Sequence, residues 1–124
     1  QIGVARLKRD EILGTRDGET SAVVRARVEA ARALQQQRYG STAATNASVP
    51  RRQLRRTLNL TPGGKALLGA AVDAVPLSGR GVDRILRVGR TIADLASSPE
   101  VTDEHIAAAL MLRVMPFEEV PACA

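Results

Sequence analysis

Four arginines, Arg80, Arg84, Arg87 and Arg90, lie in one stretch at intervals of four, three and three residues. At about 100° per residue, a helix through this stretch brings the first three within roughly 60° of one another and leaves Arg90 flanking them. Val82, Ile85, Leu86, Val88, Ile92 and Leu95 spread over the opposite side, so the spacing predicts a helix with one packing face and one face of guanidiniums. Ser78 stands where it can cap the helix start, which puts Arg80 in the first turn. There the helix dipole favours an anion and opposes a cation, so Arg80 costs helix stability unless something negative comes near. A planar guanidinium beside free backbone N–H groups, with Gly79 and Gly81 on either side, is suited to reading phosphate oxygens. The alternative is a solvated arginine face. A second cluster, Arg51, Arg52, Arg55 and Arg56, surrounds a lone Leu54. Its spacing spreads the four charges over adjoining sides of a short helix, which either lies along a phosphate backbone or is plain solvated surface.

Other chemistries find little support. No Gly-x-x-x-x-Gly-Lys-Ser/Thr loop occurs, so the chain carries no phosphate cradle of that type. His105 is the single histidine, which removes multi-histidine metal sites and Ser/His or Cys/His catalysis; it reads as an ordinary residue in the first turn of the last helix. Asp10, Glu11, Asp17 and Glu19 fall in poorly patterned sequence, with no pair spaced for acid–base work. Nothing in the residues points to an enzyme active on its own. Cys123 is the only cysteine, so an intrachain disulfide is impossible and a reducing cytoplasm is expected. No apolar run reaches membrane-spanning length. A net charge of +5 over 124 residues suits a polyanionic partner without choosing one.

These residues need a scaffold, and the composition says which kind. Aromatic residues make up 2% of the chain, Tyr39 and Phe117 alone, so the core must be built from Ala, Val, Leu and Ile. Long Ala, Arg, Leu and Gln runs favour helices. Residues 1–19 read as an irregular connector with at most a short extended piece, Ile2 to Leu7, followed by turn chemistry at Gly14, Asp17 and Gly18. A cap at Glu19-Thr20-Ser21 opens the longest helix, Ala22 to about Arg38, in which Glu29 can pair with Arg25 or Arg32, and Tyr39-Gly40 closes it. Val49-Pro50 starts a short helix to about Leu58. Thr61-Pro62 starts another, which Pro76 stops near Val75. After the arginine helix, Thr102 caps a last one with Asp103 and Glu104 at its positive end. The sum is five helices in an all-α antiparallel bundle over residues 20–114, with residues 115–124 as a tail docked by Phe117 at most. The chain starts with Gln1, and we expect it to be a piece of a longer protein.

The string from Leu77 to Leu95, LSGRGVDRILRVGRTIADL, resembles the signature of magnesium-chelatase-like AAA+ ATPases of the ComM type. Val24 to Arg32, the pair Asn46-Ala47 and the last helix, Val101 to Leu110, resemble further segments of that family's helical lid domain. Gly79 and Gly89 stand where the family has alanines, and each should loosen an interior helix by up to about 1 kcal/mol. The resemblance implies an AAA+ lid whose first-turn arginine, Arg80, is the sensor 2 residue reaching the γ-phosphate of ATP, with Arg84 and Arg87 at further basic positions of the nucleotide site. It also implies partners: an ATPase core of the same polypeptide that binds ATP and Mg²⁺, a homo-oligomeric ring of hexamer type, and DNA as the remodelled substrate, with Mg²⁺ insertion into a porphyrin as the alternative output. A free-standing basic module that binds nucleic acid through Arg51, Arg52, Arg55 and Arg56 is the rival reading.

Overall fold

In the computed structural model, residues 2, 4–15 and 18–114 are described. They form six helices and no strand: α1 Arg9–Leu13, α2 Ser21–Tyr39, α3 Arg51–Thr57, α4 Pro62–Ala74, α5 Gly79–Leu95 and α6 Asp103–Val114. The domain is all-α, as composition required. The sixth helix is α1, one exposed turn within the region expected to be irregular, where Glu11 Oε2 accepts the Lys8 N–H at 2.7 Å. The described residues of the possible extended piece before it, 2 and 4–7, are not in a strand. The tail and its Phe117 lie outside the described residues.

Helix starts follow their capping side chains. Thr20 accepts from the Val23 N–H, Thr61 from Gly64 and Ser78 from Gly81, each satisfying one of the amide donors that a helix leaves unpaired at its start. Gly40 ends α2 with φ of 68° and returns its N–H to Gln36, a left-handed cap that glycine takes without steric cost. At α6 the bond runs from the Thr102 backbone N–H to Nδ1 of His105 at 3.1 Å. His105 is therefore a capping residue of that helix.

Leu54, Leu58, Leu68, Ile85, Leu86, Ala93, Val101, Ile106 and Ala109 form the apolar core. Helix α6 packs on α4 and α5, and α2 packs on α5. Helices α5 and α6 run antiparallel, since the Arg113 side chain lies over Gly81 while Ile106 Cδ1 lies over Gly89. A Cβ on Gly89 would come within 3.1 Å of that methyl, so the glycine that weakens the helix locally lets the two helices approach. Helices α4 and α6 begin side by side, joined by a bridge between Leu60 and Val101 in which the Thr61 N–H bonds to Val101 O and the Val101 N–H to Asn59 O. Asn59 has φ of 51°, a left-handed conformation that asparagine tolerates better than most residues. Gly64 sits under this bridge, where a Cβ would lie 2.8 Å from Leu60 Cδ1 and 3.0 Å from Val101 O.

Only the second half of α2 is packed. Ala31 and Gln35 are buried, yet every residue from Ser21 to Ala30 is exposed. The same helical face continues through Val24 and Val28, which are exposed among the described residues. Glu29 makes neither expected pair; the exposed ion pair of this region joins Arg27 to Glu19.

Candidate functional site

The face carried by α5 divides into a buried and an open part, and the four arginines fall on both. Arg90 is not a flank of the open face: it is 1% exposed. Its Nε donates to Asp94 Oδ1 at 3.1 Å, and its terminal nitrogens donate to the carbonyls of Leu58, Ser98 and Pro99 at 3.2, 2.6 and 3.0 Å. One guanidinium thus closes the end of α3 and the turn after α5 together, directly below the Leu60–Val101 bridge. Burial pulls the Arg90 guanidinium below its ordinary pKa, although Asp94 opposes that shift. An arginine is not expected to lose its proton, so this side chain stays a cation enclosed by acceptors.

Asp94 supplies the balancing charge. Both its oxygens accept from Arg38 of α2, and Oδ2 also accepts from Asn46 Nδ2 at 2.8 Å. The hydrogen bond to Asp94 raises the Arg38 pKa. Asn46, 2% exposed in the loop after α2, accepts from Tyr39 and Arg38 and donates from its side chain to Thr91, and its backbone N–H donates to Gln35 Oε1. The network ties α2, the following loop and α5 into one frame.

Above this frame, α5 forms one wall of an open groove of about 870 Å³ that also touches Ala47, Arg51 and Leu112. Arg80, Arg84 and Arg87 all line it, so three residues expected on one face do share a site. Their states differ. Arg80 and Arg84 are exposed and make no hydrogen bond or ion pair with any described residue. Arg87 is engaged: Nε meets Asp83 Oδ2 at 3.1 Å, and a terminal nitrogen donates to the carbonyls of Asn46 and Ala47 at 2.6 and 2.9 Å. It fixes the loop that forms the groove's edge. Asp83 Oδ1 also pairs with Arg51 Nε at 3.4 Å, an ion pair without a hydrogen bond. Val88 and Leu95, expected on the packing side, are exposed and form the groove's apolar floor with Ile92.

Arg113 is a further basic residue at this end, one that its place in the sequence does not single out. Its guanidinium lies over the first turn of α5, where a Cβ on Gly81 would come within 2.9 Å of it, and it shares a second groove with Arg84. The signal was its position in the last turn of α6, but only the antiparallel pairing places it beside Arg80 and Arg84. Arg52, Arg55 and Arg56 are exposed on α3, away from the α5 groove but continuous with it through Arg51. No group of three or more metal-ligating side chains occurs among the described residues.

Residues 18–113 match the family model for the C-terminal domain of the magnesium chelatase subunit ChlI. The chain belongs to that family. It is 36% identical over 115 residues to the competence protein ComM of Haemophilus influenzae, covering 92% of this chain and 22% of that protein. It is 41% identical over 98 residues to uncharacterized proteins of Mycobacterium tuberculosis and Mycobacterium bovis, covering 78% of this chain and 20% of each. The chain therefore spans about a fifth of the length of these relatives. No solved structure gives a significant match. This is a C-terminal domain of a ComM-type, magnesium-chelatase-like AAA+ protein. Among the described residues, no helix is long and apolar enough to cross a membrane.

Proposed function

We propose that this domain is the lid that reads the phosphate state of ATP held by the ATPase core of the same polypeptide, with Arg80 as the sensor. The observation that carries the reading is the contrast along α5: Arg90 and Arg87 are bonded to acids and carbonyls of the domain, whereas Arg80, in the first turn and lining the groove, has no anion among the described residues. A cation placed against the helix dipole with no internal partner gains most from an external phosphate. The first-turn amides add donors of the same polarity. Arg84, one turn along and equally open, is the supporting contact, and Arg87 positions the groove edge.

The residues fit a phosphate approached from one side. Guanidiniums supply charge-assisted hydrogen bonds to its oxygens, while the phosphate loop and the ligands for Mg²⁺ belong to the core. When bound there, ATP supplies the hydrolysable phosphoryl bond; this chain's part is to hold charge against it and to move as a unit with it. The frame through Asp94 suits such motion, because α5 cannot shift without carrying α2 and the loop around Asn46. In a homo-oligomeric ring, of hexamer type, lid closure couples hydrolysis to movement between subunits. The resemblance to ComM-type proteins implies DNA as the remodelled substrate, by branch migration in the cytoplasm; the family's chelatase name supports metal insertion as the second reading.

In the full-length protein, Arg80→Ala is expected to lower the ATP turnover number by about 10²- to 10³-fold, the usual effect of removing one preorganised charge-stabilising donor. The same change should not lower the melting temperature of this domain, since it removes a cation placed against the helix dipole. Normal turnover would refute the assignment.

A further inference from the structure

The positive charge of this chain is concentrated. Between residues 30 and 72 there are seven Lys and Arg and no Asp or Glu, so this segment alone carries +7 while the whole chain carries +5. Two of the seven are ion-paired within the domain, Arg38 with Asp94 and the exposed Arg51 with Asp83, which Arg87 shares. Arg52, Arg55 and Arg56 are exposed on α3 and have no ion pair with any described residue. The helix that presents them is firmly seated: Leu54 is 0% exposed, Leu58 5%, and the Leu58 carbonyl is held by Arg90. Arg51 turns towards Asp83 and joins this face to the α5 groove.

We propose that the α3 face formed by Arg52, Arg55 and Arg56 is a contact surface for the phosphate backbone of duplex nucleic acid, separate from the Arg80 site. Arg52 and Arg56 are one helical turn apart, about 6 Å along the axis, which is close to two nucleotide steps of one strand at roughly 3.4 Å each. All three cations are arginines, whose forks bond phosphate oxygens in pairs. The only aromatic ring among the described residues, Tyr39, is half-buried and bonded to Asn46, so unpaired bases have no stacking platform there. The surface therefore favours backbone contact without base reading, and the supporting role it gives this domain deepens the DNA-remodelling reading without depending on Arg80.

The test is binding of this chain to a labelled 20-base-pair duplex, followed by fluorescence anisotropy at 50 and 200 mM salt. Three phosphate contacts give a logarithmic salt slope of about −2.7, which is a loss of roughly 40-fold in affinity over that range. The triple variant Arg52→Gln, Arg55→Gln, Arg56→Gln should lose the slope and most of the binding, with an unchanged circular dichroism melt showing that it is folded. Arg80→Ala should keep both. In the full-length protein the triple variant should retain DNA-free ATP turnover, so failure here is distinguishable from failure of the sensor assignment. Absence of duplex binding by the wild type, an unchanged slope in the triple variant, or equally tight binding to polyglutamate, which would indicate an acidic protein surface as the partner, would each overturn the proposal.

Discussion

Asp94→Asn removes the one anion shared by two guanidiniums, Arg38 and Arg90, the second of which is wholly enclosed. Breaking a buried pair from one side typically costs about 3–5 kcal/mol, because the remaining charge is left without compensation. In a domain of ordinary stability that is a large share of the total. The expected result is a urea midpoint that falls steeply with an unchanged m-value, measured by circular dichroism. Glycines make a second comparison. At Gly64, a Cβ meets the Leu60 methyl and the Val101 carbonyl, the latter being backbone that cannot step aside, so Gly64→Ala should cost about 1–3 kcal/mol. Gly69, inside α4 with nothing within 4 Å of its Cβ position, should respond oppositely, with Gly69→Ala stabilising by about 0.5–1 kcal/mol. Thermal melts of the two variants check both signs.

Among the elements, α2 combines a docked half and an undocked one. Val24 and Val28 extend the stripe that Ala31 and Gln35 bury, but they touch no core. Val28→Ser in the isolated domain should therefore change stability by no more than about 0.5 kcal/mol, as expected of an exposed position, whereas Leu54→Ala on α3 should cost about 2–5 kcal/mol. Chemical denaturation of the pair separates them. The elements also show what was readable in the chain. Thr20, Thr61 and Ser78 each marked a helix start because a capping hydroxyl acts within three residues. The exposed turn α1 was missed because it buries no residue and rests on local bonds between Lys8 and Glu11 and Ile12. The capping role of His105 was missed because histidine is not among the residues usually expected to return a bond to the helix start.

At the scale of the molecule, the helical class and the sharing of one groove by Arg80, Arg84 and Arg87 were legible, since both follow from composition and a 3.6-residue period. What each arginine does was not. A helical wheel puts Arg87 beside Arg80 and Arg90 on their flank, but the carbonyls that engage them lie elsewhere in the chain: Asn46 and Ala47 for one, Leu58, Ser98 and Pro99 for the other. Tertiary structure sorts the guanidiniums into those the fold consumes and those it leaves for a partner. Arg113 joins the second set only because α5 and α6 run antiparallel. The most direct measurement is the affinity of the full-length protein for a non-hydrolysable ATP analogue and for ADP, with and without Arg80→Ala. If Arg80 meets the terminal phosphate, the variant should bind the ATP analogue about 10- to 150-fold more weakly, the value of a hydrogen bond to a charged group, and bind ADP as tightly as before. Equal loss for both nucleotides, or loss for neither, would contradict the sensor role.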